Sequence, residues 1–203
     1  MKKIFLVFLI SHYYHLAFSQ NEVGSPFAVS FSIYGDNAIH PGLKLGGYYD
    51  LVTKEKSKER KFTRFQEKKG NKVKRRTYYG KVSIGAYSFA NNHNGWFGNI
   101  GLGYERMKMR KGWLYGADIS VGYLYRDYKT DTYAIVDNEI EKILFAGSGG
   151  IVYSFSPYVG RDFSLKSNFP IKLQLKPNLQ VLSYSYGFVF NGALEIEFIY
   201  HFK

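Results

Sequence analysis

Along most of this chain, apolar or aromatic residues take every second position and small, polar or charged residues fill the positions between. A period of two belongs to strands, not helices. The closing segment is clearest: Leu194, Ile196, Phe198, Tyr200 and Phe202 share one face, Ala193, Glu195, Glu197 and His201 the other, and only Ile199 falls out of pattern. Seven more segments alternate in the same way, at 27–34, 43–51, 78–88, 96–106, 113–125, 151–163 and 171–181. In 113–125, for example, Trp113, Tyr115, Ala117, Ile119, Val121, Tyr123 and Tyr125 oppose Gly116, Asp118, Ser120, Gly122 and Leu124. The expected fold is therefore all-β with eight strands. No stretch approaches the roughly 18 to 20 consecutive apolar residues of a membrane-spanning helix. The absence of Cys excludes disulfides, thiolate metal sites, cysteine nucleophiles and a lipidated cysteine anchor.

Alternation alone does not say which parity is wet. In a soluble sandwich or lipocalin-like barrel the apolar parity faces the core. In an outer-membrane barrel it faces lipid, and the polar parity fills the lumen. The first residues favour the second reading. Lys2 and Lys3 form a positive n-region, Ile4 to Ile10 an apolar h-region, and Ala17, Phe18 and Ser19 a small-x-small cleavage site, so residues 1–19 read as a secretory signal and the mature barrel as 20–203. Most segments also match the roughly 9 to 11 tilted residues that cross an outer membrane. Their aromatic ends, such as Trp113 with Tyr115 and Tyr123 with Tyr125, suit interfacial girdles. The expectation is an eight-stranded antiparallel up-and-down transmembrane β-barrel in the cell outer membrane.

With both termini periplasmic, the connections near 35–41, 91–95, 127–142 and 183–191 face outward, and 110–112 and 164–169 are short periplasmic turns. Only 53–76 breaks the rule, being long yet periplasmic. Either a hairpin is miscounted there or the barrel carries a basic extension.

The net charge is concentrated in that same stretch. It holds twelve Lys or Arg against three Glu, a local +9 out of +10 for the mature chain. Lys54, Lys56, Lys58, Arg60, Lys61, Arg64, Lys68, Lys69, Lys72, Lys74, Arg75 and Arg76 are the candidates for contact with an anionic surface, such as outer-membrane lipid or lipopolysaccharide phosphates. A solvated hairpin extension, or a disordered loop kept soluble by its charge, is the plainer reading. Nucleic acid is not expected as a partner, because export removes the chain from it. Segment 127–142 carries a net −3 without metal-ligand spacing.

On the inward parity, Lys44, Lys81, Arg126, Lys172 and Lys176 stand against Asp50, Glu105, Asp118, Asp162, Glu195 and Glu197. An eight-stranded barrel is only wide enough for side chains to fill, so these residues are expected to pair across the lumen rather than line an open pore.

Signals for catalysis are weak. His93, Asn94 and Glu105 invite comparison with the His, Ser and Glu triad of lipid A deacylases, but Gly95 stands where the Ser would be, and Glu105 lies roughly 40 Å along an extended strand at about 3.3 Å per residue. His201 lies near the opposite end. No enzyme, metal or cofactor is expected, and glycines 147 and 149–150 read as relief of crowding in a curved strand.

His40-Pro41-Gly42-Leu43-Lys44-Leu45-Gly46, Asn99-Ile100-Gly101-Leu102-Gly103-Tyr104 and the closing run from Leu194 to Lys203 together resemble small outer-membrane β-barrel proteins of the Bacteroidota type. The resemblance covers most of the mature chain. It implies a fold and a location and offers no catalytic or ligand residues. The expected role is that of a monomeric barrel, structural or adhesive as in OmpA/OmpX-type barrels. An outer-membrane lipid-modifying enzyme and a soluble periplasmic lipid-binding barrel are the alternatives.

Overall fold

A computed structural model describes residues 25–36, 40–58, 72–90, 92–130, 132–136, 139–143, 146–165, 169–184 and 187–202. The expected signal segment and the middle of the basic stretch lie outside them. The strands in chain order are β1 (Phe27–Asp36), β2 (His40–Lys58), β3 (Lys72–Phe89), β4 (His93–Lys108), β5 (Trp113–Tyr128), β6 (Thr132–Val136), β7 (Glu139–Ile143), β8 (Gly147–Asp162), β9 (Ile171–Tyr184) and β10 (Gly187–His201). Eight of them close an antiparallel barrel in the order β1-β10-β9-β8-β5-β4-β3-β2, and β6 pairs only with β7. The barrel is up-and-down: every wall strand pairs with its neighbours in sequence once the β6–β7 hairpin is set aside, and β1 pairs with β10 to close the ring.

Pairing is staggered. Following partners around the wall from Lys54 through Arg76, Arg106, Tyr115, Val159, Leu175, Ile196 and Ile33 leads back to β2 at Leu43, eleven residues from the start. That shear is what strands tilted in a closed ring require. One irregularity falls in β2, where Asp50 pairs with Tyr79 and Val52 with Tyr78, leaving Leu51 as a bulged extra residue.

The wall has its apolar side outward. Val82, Ile100, Leu102, Ile119 and Leu179 are between 58% and 66% exposed, whereas Lys176, Glu195 and Glu197 are fully enclosed. Parity also explains Ile199, the misfit of the last strand: it points inward and is buried.

One expectation needs correction. Segment 127–142 is not a plain loop, because Thr132–Val136 and Glu139–Ile143 form a hairpin outside the barrel ring. A hairpin clear of the wall is under no demand to keep one parity apolar, so its strands are invisible to an alternation test. Of the two forms the sequence leaves open for the basic stretch 53–76, loop or hairpin extension, the described residues have the second. β2 and β3 stay paired from Thr53 with Thr77 out to Lys58 with Lys72, as a ribbon. No hairpin is miscounted: the ring closes with eight strands, and the ribbon leaves from the rim where β1 begins and β10 ends. This is the terminal rim; the opposite one is the far rim.

Inward glycines make the tight register possible. A Cβ on Gly101 would overlap the Ile119 carbonyl and crowd the Ser120 side chain, both on the adjoining β5. Gly101→Val should therefore destabilise the barrel by about 1–3 kcal/mol through overpacking. A urea titration of the folded protein, with the midpoint lowered at unchanged slope, checks this.

Candidate functional site

The filled lumen is the most elaborate arrangement in the molecule. Reading β10 inward from the far rim, Ala193 is apolar, Glu195 and Glu197 are charged and Ile199 is apolar again. The other strands repeat this layering. Tyr34, Tyr87, Leu124, Val152, Leu182 and Ala193 pack as an apolar plug toward the far rim. Ala28, Tyr48, Tyr79, Met107, Leu114, Tyr158 and Ile199 form a second plug toward the terminal rim. Between them lies a charged layer.

Three cations and three anions compose the centre of that layer. Lys176 pairs with Glu197 and lies 3.2 Å from Asp118; Lys81 lies 3.6 Å from Asp118 and 3.8 Å from Glu197; Lys44 pairs with Glu195. Neutral groups complete the coordination. Tyr48 donates its hydroxyl to Glu197 at 2.6 Å and accepts from Lys176 at 3.0 Å. Asn178 donates to Glu195 at 3.2 Å and accepts from Ser156. The Tyr79 hydroxyl donates to that of Tyr158 at 3.0 Å, which donates in turn to the Tyr104 carbonyl at 3.3 Å. Nearer the terminal rim, Lys172 donates to Glu105 at 3.0 Å and Gln174 to the same carboxylate at 3.3 Å, with Asp50 beside them.

The structure thus brings together Lys44, Lys81, Asp118, Lys176, Glu195 and Glu197, and separately Asp50, Glu105 and Lys172. Arg126 departs from the expected network. It sits toward the far rim, its Nε 3.4 Å from the Tyr87 hydroxyl and its guanidinium 5.7 Å from the Tyr184 ring, because the far plug separates it from the central carboxylates. Asp162 is engaged by Arg75 at 3.8 Å. Tyr48, Tyr79, Ser156, Tyr158, Gln174 and Asn178 also belong to the network. They carry no formal charge, so a reading that counts charges passes over them; inward parity is their only signal.

Little space is left. One void lies beside Lys44, Lys81, Asp118 and Asn178 and another beside Asp50, Glu105, Lys172 and His201, each about 10 Å3. That is the lower limit for one water.

The basic stretch divides by face. Lys54, Lys56, Lys74 and Arg76 lie on the outward parity of the ribbon and Arg75 on the inward one, where it meets Asp162 and not an external surface. Lys58 and Lys72 are paired at the ribbon's end, and Arg60, Lys61, Arg64, Lys68 and Lys69 lie outside the described residues.

The groups compared with a catalytic triad are dispersed. His93 sits at the far rim, 3.3 Å from the Tyr87 hydroxyl and edge-on to Phe89 and Tyr128, while Glu105 is held by Lys172 and Gln174. His201 lines the small void beside Glu105, at the other end from His93. Glycines 147 and 149 underlie aromatic rings: a Cβ on either would strike the Tyr125 or Tyr123 side chain of the adjacent strand.

No protein-family model matches the chain, and no curated protein sequence matches it. Among solved structures it is similar to the N-terminal β-barrel domain of Pseudomonas aeruginosa OprF, at 10% identity and a TM-score of 0.42, over 88% of this chain and 100% of that one. It is also similar to Ail, the attachment invasion locus protein of Yersinia pestis, at 8% identity and a TM-score of 0.37, over 87% of this chain and 96% of that one.

Breaking a buried pair by removing one partner typically costs about 3–5 kcal/mol, since the other charge is left enclosed and unpaired. Lys176→Met is expected to cost that much, because Asp118 and Glu197 would retain only Lys81. Adding Glu197→Gln to it should restore part of the loss. Urea unfolding of the two variants against the parent decides: additive losses would mean that the ions do not act as one network.

Proposed function

We propose that the chain is an integral outer-membrane β-barrel with a structural or surface-interaction role, acting through its rims, with a lumen filled by paired side chains and not an open pore. The inverted surface is the observation that carries this reading. The wall turns Val82, Ile100, Leu102, Ile119 and Leu179 outward while its ions and amides lie inside. A wall of that size left in water would be an aggregation surface, since soluble monomers rarely expose apolar patches beyond a few hundred Å2. Aromatic residues flank the band, with Trp96 and Tyr123 exposed toward the far rim and Tyr78, Trp113, Tyr115 and Tyr200 toward the terminal rim. Rings at those levels suit the two interfaces of a bilayer. The enclosed ion network and the two small voids support a sealed lumen.

The partner in this reading is outer-membrane lipid, and the barrel acts as a monomer without cofactor or catalytic step. The separation of His93 from Glu105 supports the last point. Purified protein incubated with lipopolysaccharide or phospholipid should leave both intact; turnover abolished by His93→Ala or His201→Ala would overturn it.

Location is tested by extraction and by substitution. The chain should stay with the membrane pellet through carbonate and high-salt washes, whereas a soluble periplasmic barrel would be released. Ile119→Lys, in the middle of the apolar band, should cost roughly 2–4 kcal/mol in bilayer-inserted protein, the penalty for a lysine near the midplane on the lipid face. If equilibrium unfolding from vesicles shows no loss, Ile119 does not face lipid.

A further inference from the structure

At the terminal rim, two rows of cations cross three neighbouring strands directly beyond the apolar band. Lys54 pairs with Arg76 and Arg76 with Arg106; two residues further out, Lys56 pairs with Lys74 and Lys74 with Lys108. The preceding outward row is Val52, Tyr78 and Tyr104, with the two tyrosine rings 5.1 Å apart, so the grid abuts the greasy wall. Adjacent strands lie about 4.8 Å apart, and like charges directly opposite one another destabilise a sheet.

The other face of the same strands is handled differently. Thr53 and Thr77 share a hydrogen bond of 3.3 Å, and Arg75 pairs with Asp162. Among the described residues, Arg75 on the inner face has a carboxylate partner and the outer cations have none. Among the described residues, no carboxylate lies within ion-pair distance of any of the six outer cations, and the Arg106 Nε is shielded from solvent without an acceptor. A loop kept soluble by charge has no reason to sort its charges by face. A surface that receives an external anion does.

We propose that this six-cation grid binds the phosphate groups of anionic glycerophospholipids in the leaflet at the terminal rim. The inference rests on the bilayer reading above and adds a ligand class and a side to it. The position of the grid selects a lipid over a soluble polyanion, since a ligand held there meets cations at its headgroup and Val52, Tyr78 and Tyr104 along its chains. The distribution of charge selects the leaflet: the far rim carries the 127–142 connection, with a net −3, and its described residues form no comparable grid of paired cations. Each basic residue at a membrane surface contributes to anionic-lipid attraction, and salt screens the effect.

The chain has two tryptophans, and they report the two rims separately. Trp113 is paired with Lys108 beside the grid, and Trp96 lies toward the far rim; both are exposed. Full-length protein would be reconstituted into phosphatidylcholine vesicles in which an equal minor fraction of either phosphatidylglycerol or phosphatidylcholine is brominated near the headgroup. In a Trp96→Phe background, brominated phosphatidylglycerol should quench Trp113 at least about twofold more than brominated phosphatidylcholine. High salt or the combined Lys54→Gln, Arg76→Gln and Arg106→Gln substitution should erase the difference, while quenching by brominated phosphatidylcholine verifies that the variant is inserted. In a Trp113→Phe background, Trp96 should be quenched equally by both lipids.

Equal quenching of Trp113 by both lipids in inserted protein would overturn the proposal and leave the bilayer reading standing. No quenching of either tryptophan by either lipid would overturn both. Displacement of the phosphatidylglycerol-specific quenching by added lipopolysaccharide would reassign the grid to lipid A phosphates and so refute the phospholipid assignment.

Discussion

Six ions enclosed between two apolar plugs are the constraint on which the rest of the barrel depends. Removing an ion from water costs several kcal/mol even after relaxation, so each must find its partners inside. The partners are far apart in sequence: Lys44 meets Glu195, and Lys81 and Lys176 share Asp118 and Glu197. Those six side chains come from β2, β3, β5, β9 and β10, and apart from Lys176 with the two glutamates of the adjoining β10 they meet only across the closed ring. An open sheet would keep only the β9–β10 neighbours Lys176, Glu195 and Glu197 together, and the pairs that cross the lumen would be lost. Closure and charge balance are therefore linked, and the apolar plugs on either side strengthen the link by lowering the dielectric around the ions.

The same layering explains how the wall can be apolar. In a water-soluble protein burial of nonpolar area drives collapse, but here the outward parity is given to the exterior and the interior must hold by other means. Tyrosine is suited to that task. Tyr48, Tyr79 and Tyr158 bury their rings in the terminal plug while their hydroxyls extend into the ion layer, so each serves both layers. Glycines give these rings room: a Cβ at Gly103 would overlap Tyr79, and one at Gly95 would overlap Tyr87.

Much of this architecture is legible in the amino-acid sequence. Alternation locates all eight wall strands, and the inward parity of 43–51, 78–88, 96–106, 113–125, 171–181 and the last strand names the ions that meet in the lumen. What parity does not supply is depth. Lys44 and Arg126 are both inward, yet one joins the central cluster and the other lies beyond the far plug, because the shear that sets their heights belongs to the whole ring and not to either segment. Nor does parity reach the strands outside the wall. The β6–β7 hairpin lies outside the ring and the β2–β3 ribbon carries charge on both faces, so nothing in their sequence must alternate between greasy and polar. Ile199 is an exception only while polarity is taken as the mark of the interior; once apolar plugs are part of the lumen, it is regular.

The bulge at Leu51 has a consequence for how such a chain can vary. Upstream of it, odd-numbered residues of β2 face out; downstream, even-numbered ones do. Loss of that one residue would restore an uninterrupted ladder and leave every side chain beyond it on its present face, because Val52 would still oppose Tyr78 and Lys54 would still oppose Arg76. Relatives that lack the extra residue should therefore keep their lysines on the outer face of this strand, so that length can vary at this point without disturbing the placement of charge.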